Sequence, residues 1–84
     1  MSTTRREKEE ANTFLELLRD TRLNVGLRQV DLANRLGVPQ SFVSKYESGE
    51  RRLDLLEVRS VCHALNTTLP AFATRLESLL EGSK

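Results

Sequence analysis

Eighty-four residues suffice for one small domain, and 38% apolar with 30% charged residues mark it as globular rather than disordered. Thirteen Lys and Arg against twelve Asp and Glu leave a formal charge of +1, which excludes a polycation with a wholly basic surface. A single Cys62 beside a single His63 excludes a disulfide framework and a structural metal site within one chain. No apolar stretch is long enough to span a bilayer, and MSTTRREKEE lacks the apolar core of a secretory signal. A cytoplasmic protein without membrane, metal or cofactor is expected.

Alternation with β-branched or aromatic residues never persists, so the chain reads as all-α. Residues 1–10 are polar and charge-mixed, and read as a flexible arm ahead of a domain over 11–80. Asn12 or Thr13 offers the first helix cap, with Glu16 placed for a capping box; Phe14, Leu15, Leu18 and Val25 follow at helical spacing, and Gly26 is the stop. A second helix runs from about Arg28 to Leu36 and ends at Gly37, where a left-handed residue is required. Val38-Pro39 forbids continuation, and a third helix starts near Pro39 or Gln40 and closes at Gly49. Asp54 caps a fourth helix containing Leu55, Val58, Val61, Cys62 and Leu65, with Asn66 in the left-handed position after it. Thr68 caps a fifth, about 69–80, and residues 81–84 read as a frayed end.

The informative stretch is Gln29 to Ser48, QVDLANRLGVPQSFVSKYES. Ala33 is small enough for two helices to cross, Gly37 turns the corner, and Leu32, Leu36, Val38, Val43 and Tyr46 supply apolar contacts for the elbow. Gln40, Ser41, Ser44 and Lys45 remain on the outer face of the second of these helices. A helix-turn-helix needs that division between an apolar back and a polar edge.

From Leu17 to Phe72 the chain resembles the Cro/C1-type, XRE-like helix-turn-helix regulators. The resemblance rests on Arg22, Gly26-Leu27, Gln29-x-x-Leu32-Ala33, Leu36-Gly37-Val38, Gln40, Val43-Ser44, Tyr46-Glu47-Ser48-Gly49 and Ala64-Leu65. Asn66 departs from the family's usual glycine, and Leu53 stands where proline is common. The resemblance implies a compact five-helix domain of the phage-repressor type that binds double-stranded DNA. It implies that Gln29 hydrogen-bonds a phosphate beside a helix N-terminus and that Gln40 reads adenine in the major groove. Ser41, Ser44 and Lys45 then reach base edges or phosphates, and the loop at Ser48, Arg51 and Arg52 clamps the backbone, with Arg28 adding a contact. Arg22 and Glu47 are implied as a structural ion pair between the first and third helices, outside the DNA-contacting set.

Charge distribution agrees. Residues 1–18, 19–52 and 53–84 carry −1, +3 and −1, so the positive excess falls on the helix-turn-helix. So small an excess neutralises few phosphates per copy, which favours a homodimer reading two half-sites of a palindromic operator about 10 bp apart or a multiple of that. Phe72, Leu76, Leu79 and Leu80 of the fifth helix form the expected dimer surface, the other reading being that they only cover the domain's own core. Repression follows from occluding RNA polymerase, activation from contacting polymerase or another regulator. Length leaves no space for a sensor domain. The competing reading is a protein-interaction or antitoxin-type module that retains the helix-turn-helix as a scaffold. No nucleophile–base constellation or glycine-rich phosphate loop points to an enzyme.

Overall fold

The computed structural model describes residues 4–82. They form five helices, α1 (Arg5–Asn24), α2 (Gln29–Leu36), α3 (Gln40–Ser48), α4 (Leu55–Ala64) and α5 (Leu69–Gly82), and no strand occurs among the described residues. The all-α, five-helix expectation holds.

Local chemistry sets most helix ends. Gly37 is left-handed at φ 70°, with Val38 N–H donating to the Ala33 carbonyl and Gly37 N–H to that of Asn34. Two of the four orphan carbonyls of the last turn are thereby satisfied, and the chain reverses toward α3. Asn66 does the same at φ 63°, its successor Thr67 donating to the Cys62 carbonyl. Asparagine tolerates this region because its polar side chain bonds locally, which is why it replaces glycine here. Asp54 Oδ1 accepts from Glu57 N–H at 2.7 Å while Glu57 Oε1 accepts from Asp54 N–H at 2.9 Å. Thr68 Oγ1 accepts from Ala71 N–H at the start of α5.

The first helix differs from the sequence reading. Its N-cap is Thr4, not Asn12 or Thr13, and residues 5–10 of the expected flexible arm are helical; residues 1–3 lie outside the described residues. The segment before Gly26 holds two capping-box patterns, Thr4-x-x-Glu7 and Thr13-x-x-Glu16, and the first is used. Thr13 instead donates its hydroxyl to the Glu9 carbonyl at 3.0 Å, a mid-helix bond incompatible with capping. At the other end, Glu81 and Gly82 are helical, and residues 83–84 lie outside the described residues.

One core joins all five helices. Leu17 and Leu18 of α1, Leu32 and Ala33 of α2, Val43 and Tyr46 of α3, Val58, Val61 and Cys62 of α4, Leu65, and Phe72 of α5 are buried together. Each large apolar side chain so enclosed contributes roughly 1.5–3 kcal/mol. α2 packs on α3 as the elbow, α1 on α3 and α5, and α4 on α2 and α5. Phe72, expected on a dimer surface, is 4% exposed and meets Phe14 edge-on at 6.0 Å. It belongs to the protomer's own core, because α5 crosses α1 at that ring. Leu76 and Leu80 are half-buried, and Leu79 is 47% exposed. Tyr46 is buried to its hydroxyl, where a solvent-facing tip was the ordinary expectation for tyrosine. No helix among the described residues is long and apolar enough to cross a membrane.

Candidate nucleic-acid interface

α3 divides its residues by helical period. Val43 and Tyr46 point inward, while Gln40, Ser41, Ser44, Lys45 and Ser48 recur on the outward side. All five outward residues except the half-buried Ser44 are exposed. Pro39 sits just before the helix in extended geometry, so the chain enters α3 at a fixed angle with Gln40 in its first turn. The result is a short, polar, solvent-facing helix edge on a rigid apolar support.

A groove of about 660 Å³ brings Arg28 and Gln29, at the start of α2, beside Gln40 at the start of α3. Behind it lies a buried ion pair. Arg22 Nε donates to Glu47 Oε2 at 2.7 Å and Arg22 Nη2 to Glu47 Oε1 at 2.9 Å, while Nη1 donates to the Leu27 carbonyl at 2.7 Å. The two side chains are only 7% and 6% exposed, and the Glu47 hydrogen bond holds the Arg22 guanidinium above its ordinary pKa. The pair ties α1 to α3 and extends to α2, because Gln29 Nε2 also donates to Glu47 Oε1 at 3.0 Å. An amide nitrogen carries two hydrogens, so Gln29 keeps one for an acceptor such as a phosphate, along with its first-turn backbone N–H. Arg28 is held locally, its Nη2 donating to Asp31 Oδ1 at 3.0 Å and its backbone N–H to Asp31 Oδ2 at 2.9 Å. Those bonds from Arg28 lower the Asp31 pKa and raise that of Arg28.

The α3–α4 loop forms the opposite flank. Gly49 closes α3 at φ 87°, and Ser48 Oγ lies 3.0 Å from both the Lys45 carbonyl and the Glu50 carboxylate. Arg51 turns toward the protein rather than outward. Its Nη2 donates to Glu57 Oε2 at 2.7 Å, Nη1 donates to the Arg52 carbonyl at 2.9 Å, and its guanidinium carbon stands 4.3 Å from the Phe42 ring centre. The Arg51 hydrogen bond holds the Glu57 carboxyl below its ordinary range. Arg52 and Lys45 are exposed and enter no ion pair among the described residues.

The structure thus brings Arg28, Gln29 and Gln40 together on one flank and Ser48, Arg51 and Arg52 on the other, with Ser41, Ser44 and Lys45 between them. Sequence reasoning missed two engagements. Arg28-x-x-Asp31 was visible as an i,i+3 pair, but nothing local signalled that Arg51 would select Glu57 and Phe42. It also missed an apolar pair at the start of α4, where Leu55 and Leu56 are 68% and 74% exposed.

Comparisons with known proteins agree with this architecture. The helix-turn-helix family model matches residues 18–72, and the chain belongs to that family. An XRE-family like protein from Pseudomonas syringae pv. tomato is 42% identical over 86% of this chain and 88% of its own, with a TM-score of 0.81. XRE-type helix-turn-helix proteins are a class of DNA-binding transcription regulators, and this chain carries the fold of that class. The restriction-modification controller protein C.AhdI from Aeromonas hydrophila is 28% identical over 76% of this chain and 97% of its own, with a TM-score of 0.69. The controller protein C.Esp1396I, solved as a tetramer on its natural 35 base-pair operator, shares the fold at 20% identity and TM-score 0.77, covering 84% of this chain and 93% of its own. No curated protein matches the sequence significantly.

Proposed function

We propose that the chain is a sequence-specific regulator of transcription that binds double-stranded DNA as a homodimer, with α3 in the major groove. The observation that carries this reading is the exposed polar edge of α3, flanked on both sides by groups able to donate to phosphate. Gln40, at the entrance of α3, is the base reader, since a glutamine amide matches the paired acceptor and donor of adenine N7 and N6. Ser41, Ser44 and Lys45 reach neighbouring edges or phosphates. Gln29 and Arg52 position the helix by gripping the backbone. Arg28 and Arg51 join them by exchanging a carboxylate partner for a phosphate.

Dimerisation supports the same reading, because the +3 excess between residues 19 and 52 neutralises few phosphates in one copy. The exposed Leu79, beside the half-buried Leu76 and Leu80, makes α5 the proposed interface. The tetramer of C.Esp1396I on its operator supports a regulator of this size working in multiple copies. The exposed Leu55 and Leu56 favour the second reading, a module that contacts protein. They lie off the polar edge of α3, so that contact would accompany DNA binding rather than replace it.

Selection of bound sites from randomised duplex DNA at stated salt, followed by Gln40→Ala on the enriched site, tests the proposal. The substitution should cost about 1–3 kcal/mol and relax preference at one base pair. Failure to enrich any motif would promote the protein-binding reading.

A further inference from the structure

A second groove, of about 570 Å³, runs between the N-terminal half of α1 and the α3–α4 loop. Lys8 and Asn12 stand on its α1 side, and Ser48, Gly49 and Arg52 on the other. Lys8 and Asn12 are four residues apart and therefore share one helix face. They precede residues 18–72, the segment matched by the family model, and sequence reasoning assigned neither a binding role.

Three features make this wall of the groove a fixed one. The Thr4–Glu7 capping box starts the helix ahead of Lys8, with Glu7 N–H bonded to Thr4 Oγ1 at 3.1 Å and Thr4 N–H to Glu7 Oε1 at 3.2 Å. Pairs at i,i+4, Arg5–Glu9 at 3.4 Å and Arg6–Glu10 at 3.8 Å, support the same turns. Gly49 packs next to Leu15, with a Cβ at that position lying 3.7 Å from Leu15 Cδ1, so the loop rests against that α1 side chain.

The charges are arranged for an anion. Lys8, Arg52 and the Glu57-paired Arg51 line the groove with one carboxylate, Glu7, whose oxygen already accepts from Thr4. Lys8 and Arg52 are exposed and form no ion pair among the described residues. The far wall is continuous with the Ser48–Arg52 loop on the proposed DNA-facing side. An anion that follows from that continuity is the next phosphate along the DNA strand.

We propose that Lys8 and Asn12 form the second wall of a backbone clamp, holding a DNA phosphodiester between α1 and Arg52. This rests on the DNA-binding reading and extends it to a part of the chain outside the helix-turn-helix. Lys8 supplies the charge, Asn12 a neutral amide donor, and the helix keeps the backbone of both in place before DNA arrives, so little backbone freedom remains to be lost on binding.

Phosphate contacts are sequence-independent, so a mixed-sequence duplex is a sufficient probe. Anisotropy of a labelled duplex of about 20 bp, titrated across a salt series, reads the affinity and its salt slope. In Lys8→Gln the slope should shrink by about 0.9 per protomer, with roughly five- to tenfold weaker binding near 0.1 M salt for each protomer engaged. Asn12→Ala should weaken binding while leaving the slope unchanged, because it releases no counterion. Lys8→Gln combined with Arg52→Gln should lose less than the product of the single losses, since both grip the same phosphate. Thermal melting of Lys8→Gln should match wild type, the side chain being exposed. A wild-type protein that binds while Lys8→Gln retains its slope and affinity overturns the inference alone. A wild-type protein that fails to bind duplex DNA even at low salt overturns the DNA-binding reading and this inference with it.

Discussion

Replacing Glu47 with alanine isolates what holds the polar edge of α3 in register. Glu47 accepts two bonds from Arg22 and one from Gln29, all within 3.0 Å, and both members of the ion pair are nearly enclosed. Its removal leaves a buried guanidinium with the Leu27 carbonyl as its remaining bond, and an unpaired buried charge costs about 3–5 kcal/mol. A domain of this size has roughly 4–13 kcal/mol of total stability, so about a quarter or more would be lost. At about 4–8 °C per kcal/mol, the melting temperature should fall by at least 12 °C or so, measured by circular dichroism at constant protein concentration. The paired change Arg22→Met with Glu47→Leu removes both charges and keeps an apolar volume, and should recover most of the loss. A Glu47→Ala melting shift below about 4 °C would refute the reasoning. So would a double variant no more stable than Glu47→Ala, because packing and not the stranded charge would then account for the effect.

Four further outcomes are expected. Tyr46→Phe should raise the melting temperature by roughly 4 °C or more, because the tyrosine hydroxyl is buried without a hydrogen-bond partner among the described residues; a fall would reveal a bond there. Burial, the first cause, also pushes the Tyr46 phenol above its ordinary range, so its absorbance should not titrate before alkaline unfolding. Asp31 and Glu57, held below ordinary values of 3.8 and 4.5 by hydrogen bonds from Arg28 and Arg51, bind fewer protons folded than unfolded. Their stabilisation is therefore complete above those values and lost as pH falls through the lower folded values; Glu57→Gln should flatten the acid limb of a stability curve without tilting the neutral region. Leu79→Asp should convert dimer to monomer in sedimentation and weaken operator binding, and a dimeric variant would exclude α5 as the interface.

The features legible in the sequence were those written in local chemistry. Gly37, Gly49 and Asn66 announced three helix ends because the left-handed region admits few other residues, and Asp54 and Thr68 announced two beginnings because their oxygens satisfy first-turn N–H groups. The two periods of α3, apolar at Val43 and Tyr46 and polar from Gln40 to Ser48, followed from spacing alone. The Arg22–Glu47 pair was legible only through resemblance, since 25 residues separate its members.

What tertiary structure decided were choices among equivalent local options. Thr4 and Thr13 both offered a capping box, and the longer helix places Lys8 and Asn12 across from the α3–α4 loop. Arg51 had solvent, phosphate and several carboxylates as alternatives, and the approach of α4 to α3 gave it Glu57 and the Phe42 ring. Phe72 and Leu79 look alike in the sequence, yet the crossing of α5 over α1 buries the first and exposes the second. A single charge of +1 determined little by itself; its division into −1, +3 and −1 along the chain acquired meaning once folding left Arg28, Lys45 and Arg52 exposed and enclosed Arg22 with Glu47. Helix ends depend on neighbours a few bonds away, whereas which cation stays unpaired depends on helices that meet only when the core closes.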